Sequence, residues 1–189
     1  MSKQTYVPTL LKLFRQFGYA GVTLAKISQA TGLGKASLYH HFPGGKAEMA
    51  AAALTHVNQW LETTILPLLS PQNAQASTIA AIQAMVEEVN RFFNYGQNSC
   101  LWAVLVLEQT SDDLFHSQIR WAFSQWIEAI ANRLMAAGLE ADLAKQRGED
   151  AIMAIQGALI LSHGLQDCAV FQRMIYQLPQ KLCQGIQEP

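Results

Sequence analysis

The residues best suited to chemistry lie between Lys35 and Lys46. There Lys35, Ala36, Ser37, Tyr39 and His40 crowd one short segment, and Lys46 follows a double glycine. Short, polar or cationic side chains near the start of a helix suit contacts to base edges and phosphates. They do not suit catalysis. The five histidines, His40, His41, His56, His116 and His163, fall in no HExxH or other metal-ligand spacing, and neither a GxSxG elbow nor a glycine-rich phosphate loop occurs. No catalytic residue, metal ligand or cofactor is assigned.

Two helices must position those side chains. Thr23 can cap a helix whose inner face is Leu24, Ile27 and Ala30, spaced three apart, with small Ala30 letting a second helix approach. Gly32 sits where a left-handed turn residue is needed, and Leu33 plugs the corner. The second helix is expected over Lys35–His41, burying Leu38 and Phe42 and leaving Lys35, Ala36, Ser37, Tyr39 and His40 outward. A buried helical hairpin uses glycine in the same way, so the glycine alone leaves both readings open.

Over residues 5–50 the chain resembles the DNA-binding domain of the TetR family of bacterial transcriptional regulators. The matching residues are Leu10, Phe14, Phe17-Gly18-Tyr19, Thr23, Ile27, Ala30-Thr31-Gly32-Leu33, Leu38-Tyr39, Phe42 and Lys46. The run Phe42-Pro43-Gly44-Gly45-Lys46 has one residue more between Phe and Lys than the usual version, and this HHFPGGK form resembles the LmrA-like branch of multidrug-resistance regulators. The resemblance implies an all-α fold, with an N-terminal three-helix helix-turn-helix domain (1–48) and a C-terminal helical ligand-binding and dimerisation domain (49–189). It implies a repressor that binds a palindromic double-stranded DNA operator as a homodimer and is released by a small-molecule effector. Carried over by position, Lys35, Ala36, Ser37 and His40 meet the major groove, and Thr23, Tyr39 and Lys46 the phosphates. Gly34 replaces a residue that is often serine, which removes one phosphate hydrogen bond. The alternative is a helix-turn-helix protein that acts as an interaction module without binding DNA.

Charge agrees with this layout. The net charge of −1 hides a split: residues 1–50 carry Lys3, Lys12, Arg15, Lys26, Lys35 and Lys46 against Glu48 alone, a balance of +5, and the remainder carries −6. A basic end that coincides with a recognition motif points to a polyanion. Cys100, Cys168 and Cys183 are too few and too scattered for a metal cluster, and an odd count suits a reducing cytoplasm. The N-terminus has no signal-peptide pattern, and the run Ala151–Cys168 is interrupted by Gln156, Ser162, His163, Gln166 and Asp167, so no membrane segment is expected.

With 189 residues, half of them hydrophobic, the chain can bury a sizeable core. Helix one is expected over Thr5–Phe17, burying Val7, Leu10, Leu11, Phe14 and Phe17, with Gly18 as its stop. A bridging helix is expected from Lys46 to Leu66, putting Lys46 at a helix N-terminus that can hold a phosphate, with Pro67 to Ser77 forming a loop. Ile79, Ile82, Val86, Val89 and Phe93 form the stripe of the next helix, while Met85 and Phe92 lie beside it, as plain core or as cavity lining. Cys100–Thr110, nearly all apolar and containing Trp102, Leu105 and Glu108, should be buried on every side. Ser111-Asp112-Asp113 is a candidate cap for a helix reaching Ala137, with Phe115, Ile119, Phe123, Trp126, Ile130 and Leu134 on one face.

The candidate effector residues are therefore Met85, Phe92, Trp102, Leu105, Phe123 and Trp126, an aromatic-rich set suited to a largely apolar molecule. Gln156 and His163, seven apart on the uncharged stretch of a helix over 142–167, can each offer that molecule a hydrogen bond, or serve a dimer seam instead. The same helix has small Ala154, Gly157 and Ala158, and a last segment from Val170 carries Phe171, Met174, Ile175 and Leu178 before Pro179, which should break or kink it. Two such helices can pair with their copies as a four-helix bundle, giving a homodimer through the last two helices.

Overall fold

Local sequence rules account for most element boundaries in the computed structural model, which describes residues 2–72 and 76–186, with backbone alone at 109–113. Asn73–Gln75 of the expected loop, and the side chains of Ser111, Asp112 and Asp113, lie outside the described residues. Every regular element among the described residues is helical. None of these helices is long and apolar enough to cross a membrane.

Contacts divide the chain into two units. The first holds the residues up to Gln59 together with Cys100–Ile119; the second holds Trp60–Ser99 together with the chain from Arg120 onward. In the first unit a 3-10 turn, Lys3–Tyr6, leads into α1, Val7–Gly21, with Pro8 in its opening turn, where a missing N–H costs nothing. Gly18 interrupts α1 at φ 65° and ψ −179°, a conformation nearly reserved for glycine. Then come α2, Leu24–Thr31, α3, Lys35–His41, and α4, Gly45–Trp60. Val7, Leu10, Phe14, Val22, Ile27, Leu38, Phe42, Met49 and Leu54 form its core.

A π-helical turn, Leu61–Ile65, follows α4 directly, and α5, Leu66–Leu69, follows that. The expected break at Pro67 is thus corrected: the helical path runs on to Leu69. The wide turn explains why, since Leu66 N–H bonds back to Leu61 O, five residues earlier, and Pro67 then enters at the start of a fresh turn.

In the second unit α6, Thr78–Phe92, is capped by Ser77, whose hydroxyl accepts the Ala80 N–H at 3.2 Å. Next along the chain come α7, Leu101–Val106, which belongs to the first unit and packs on α1 there, and α8, Gln109–Ala136, which carries residues of both units. Last are α9, Ala141–Leu165, capped by Glu140, and α10, Ala169–Leu182. Within the second unit α10 packs on α9 and on α6.

Four further expectations are corrected. Phe17 is exposed rather than core, because it ends α1 at the Gly18 break, and the Lys26 ammonium lies 4.5 Å from its ring centroid. Ala30 is exposed and Leu24 half-buried, so Ile27 alone of that row is buried; positions three apart drift about 60° per step around a helix. Ile79, in the first turn of α6, is exposed, and Met85 takes its place in the buried stripe. The segment from Cys100 is not buried all round: α7 ends at Val106, and Leu107 is 82% exposed.

Two terminators also differ. α8 starts at Gln109, so Ser111, Asp112 and Asp113 lie within the helix rather than before it. Pro179 is buried inside α10, which continues to Leu182. The continuation is anchored: the Cys183 N–H bonds to Pro179 O at 3.0 Å, and Arg147 Nη1 donates to Leu182 O at 2.7 Å.

Candidate nucleic-acid interface

The turn between α2 and α3 is braced almost wholly by nearby residues. Thr23 caps α2, its hydroxyl accepting the Lys26 N–H at 3.2 Å. Gly32 adopts φ 72° and returns its N–H to Ser28 O at 2.9 Å. Ser28 Oγ donates to Leu33 O at 2.5 Å, and Thr31 Oγ1 donates to Ile27 O at 2.7 Å while accepting the Leu33 N–H at 3.3 Å. These bonds set where α3 starts. Gly34 occupies its cap position with extended backbone and no side chain to close it.

α3 is anchored by Leu38 and by Phe42 just beyond it, both buried. Lys35, Ala36, Ser37, Tyr39 and His40 are exposed, so five of the expected contact residues share one short helix. The His40 ring lies 5.5 Å from that of His41, which tilts against Tyr6 at 5.2 Å.

Three lysines of this unit, Lys46, Lys26 and Lys3, have partners within it. Lys46 Nζ donates to Tyr19 O at 2.9 Å and sits 4.4 Å from the Tyr19 ring centroid. Lys26 Nζ donates to Gly21 O at 3.1 Å, and Lys3 pairs with Glu48. The Lys3 hydrogen bond, then the Gly44 N–H, hold the Glu48 carboxyl below its ordinary value. Burial pulls the Arg15 guanidinium down to about 10, against an opposing pull from Cys100.

Glu108 is the contact that sequence reasoning missed here. Its carboxylate accepts the N–H groups of Tyr19 and Ala20 at 2.8 and 2.7 Å, so the corner after Gly18 is held by Lys46 on its carbonyl side and by Glu108 on its amide side. The Gly18-Tyr19 pair marks the corner in the sequence, but nothing there names a carboxylate almost ninety positions on.

The expected effector residues divide between the two units. Trp102 and Leu105 are buried in the first, where Trp102 Nε1 donates to Asn58 Oδ1 at 2.9 Å. Met85, Phe92, Phe123, Trp126, Gln156 and His163 belong to the second. There Trp126 Nε1 donates to Met85 Sδ at 3.4 Å. Trp60, which sequence reasoning passed over, stacks on Phe92 with centroids 3.8 Å apart and meets Trp126 edge-on at 6.0 Å. Its signal was its place three residues beyond Val57 on the stripe Met49, Ala53, Val57. Phe123 is half-buried. Gln156 Nε2 is buried without a hydrogen-bond partner, whereas His163 is exposed and shares a 3.2 Å bond with Ser99 Oγ. A groove of about 220 Å³ in this unit is lined by Leu66, Leu69, Pro71, Gln125, Glu128 and Asn132 among others, and by none of the expected effector residues.

Comparison with known proteins bears on both parts. Residues 9–53 match the family of bacterial regulatory proteins named tetR, and residues 78–177 match the C-terminal domain of LmrA/YxaF-like transcriptional regulators. The chain is 26% identical over 164 residues to the HTH-type transcriptional regulator LmrA of Bacillus subtilis, covering 85% of this chain and 86% of that one. It is also 26% identical over 181 residues to the uncharacterized HTH-type regulator YxaF of the same organism, covering 94% and 93%. Among solved structures, a TetR transcriptional regulator from Legionella pneumophila superposes with a TM-score of 0.83 at 18% identity, covering 96% of this chain and 97% of that one, which speaks to the fold.

Proposed function

The chain belongs to the TetR family of bacterial transcriptional regulators, in its LmrA/YxaF-like branch, and from that premise we propose that it is a dimeric repressor released from a palindromic operator by a small, largely apolar effector. The observation that carries the DNA half is α3: two buried anchors, Leu38 and Phe42, present Lys35, Ala36, Ser37, Tyr39 and His40 together on the exposed side. In this reading Lys35, Ala36, Ser37 and His40 meet base edges, while Thr23, Gly34, Tyr39 and Lys46 lie along the phosphates. Lys46 enters already oriented by Tyr19 O, with its remaining N–H bonds available.

Residues 1–48 are then the reading head and 49–189 the effector and dimerisation part. Dimerisation through α9 and α10 is supported by exposed Met153, Ile160, Leu161 and Leu165 on α9 and Tyr176 on α10, an apolar set unusual for a surface meeting only water. Gly157 and Gly164 have open space where a side chain would stand, which suits close approach of a second helix. The apolar effector is supported by the cluster of Trp60, Phe92, Phe93 and Trp126 beside Met85, with the unpartnered Gln156 amide as a candidate donor. Operator and effector then oppose each other, each weakening the other by the same factor. Such a protein works in the cytoplasm, with the operator DNA and the effector as its partners and no membrane.

The test is binding of the purified protein to the DNA just upstream of its own coding region, repeated across salt concentrations. Lys46 and Lys26 from two subunits, with Lys35 reaching a phosphate as well as the groove, make about six phosphate contacts and a log–log slope near −5. A palindromic footprint with that slope supports the reading. Failure there and in random-site selection sinks it.

A further inference from the structure

The corner between α1 and α2 is held by its backbone. Glu108 Oε1 accepts the Tyr19 N–H at 2.8 Å and Oε2 the Ala20 N–H at 2.7 Å, from 89 and 88 positions away in the chain. Gly18 makes the grip possible twice over. It takes φ 65° with ψ −179°, and a Cβ at that position would stand 1.8 Å from Glu108 Oε1. The carboxylate ends the link between α7 and α8, and the corner it grips leads within three residues to Thr23, the cap of α2. Both partners lie in the same unit, and a carboxylate shared by two amides is a charge-assisted, directional contact.

We propose that Glu108 is a positioning residue for operator reading, a latch that fixes the corner, and with it the α2–α3 pair, against α7. The inference rests on the regulator reading above. With the latch closed, α2 and α3 have one placement relative to the start of α8. With it open, the backbone of the corner keeps Lys46 on Tyr19 O, and the Tyr19 ring still touches Phe14 and Phe115. Among the described residues no hydrogen bond then ties the corner to the start of α8, so the reading helix gains freedom. Such a residue governs how sharply a dimer discriminates operators by the spacing of their half-sites, as well as how tightly it binds.

The experiment uses the full chain and an operator obtained by random-site selection, with versions carrying one base pair more or fewer at its centre. Glu108→Gln keeps the size of the side chain and removes its charge. The expected result is native-operator binding about tenfold weaker and a spacing preference that falls from at least about tenfold to within about threefold, since a charge-assisted pair has become a neutral one. The salt slope stays at the wild-type value because Glu108 touches no phosphate. Gly18→Ala, which evicts the carboxylate from the other side, should produce the same loss of spacing preference.

A Glu108→Gln protein that keeps its spacing preference overturns the latch even if its affinity drops, because mere loss of folded protein lowers every affinity by one factor. Amide hydrogen exchange on the wild-type chain needs no variant: free exchange at Tyr19 and Ala20 would equally overturn it. If the wild-type chain selects no DNA at all, the regulator reading fails first and takes the latch with it.

Discussion

Lys46 and His40 stand on opposite sides of DNA recognition, and their substitutions should separate. Lys46→Ala removes one cation per subunit, so it should weaken binding to every sequence alike and flatten the log–log salt slope by about 2. His40→Ala or Ser37→Ala should instead change which site is selected while leaving the slope near its original value, as read by parallel selections on each variant. Glu48 gives a pH prediction. Its carboxyl is held below the ordinary value by Lys3 first and the Gly44 N–H second, so its contribution to stability is complete above its unfolded value near 4.5 and is lost as pH falls through the lower folded value. Glu48→Gln should therefore lower stability in the neutral region and shallow the acid limb of a stability–pH curve, the gap to wild type closing as pH falls below the folded value. At this scale the exposed residues of α3 were legible in advance, because a short helix with two apolar anchors leaves its other side chains few directions. The partners of Lys46 and Lys26 were not, because both donate to backbone carbonyls, which carry no side-chain signature.

Among the elements, α2 depends on a cap that the sequence announces. Thr23→Ala removes the acceptor for the Lys26 N–H and should cost about 1 kcal/mol, seen as a lower urea midpoint at unchanged slope. The two prolines teach the opposite lesson. Pro67 reads as the start of a loop and Pro179 as a break or kink, by their missing N–H, yet helix continues through each. A π turn before Pro67 relieves the first, and burial of Pro179, with Arg147 closing the far end of α10, sustains the second. Likewise α7 reads as apolar on every side, but six residues are too short for its end to stay covered, and Leu107 stands in the open.

For the whole molecule, the exposed apolar residues on α9 are the strongest reason to expect a second copy. Ile160→Glu, at a position 63% exposed, should leave helical content unchanged within error. It should yield a monomer by sedimentation. One reading head then makes half the contacts, so operator affinity should fall at least about a hundredfold and the salt slope shrink to roughly −3. A stable dimer in that variant would move the interface elsewhere.

By itself, the sequence determined what short-range physics determines: the helical class, the turn at Gly32, the span Lys35–His41 and the family to which the chain belongs. Caps, left-handed glycines and three-to-four spacing act over single turns, so they can be read without a fold. Only the tertiary structure decided which apolar positions are buried, that Trp60 joins Phe92 and Trp126, and that Glu108 grips Tyr19 and Ala20. Those contacts join residues from about 30 to nearly 90 positions apart, where nothing in the local pattern names the partner and only the packing of helices brings the groups within bonding distance.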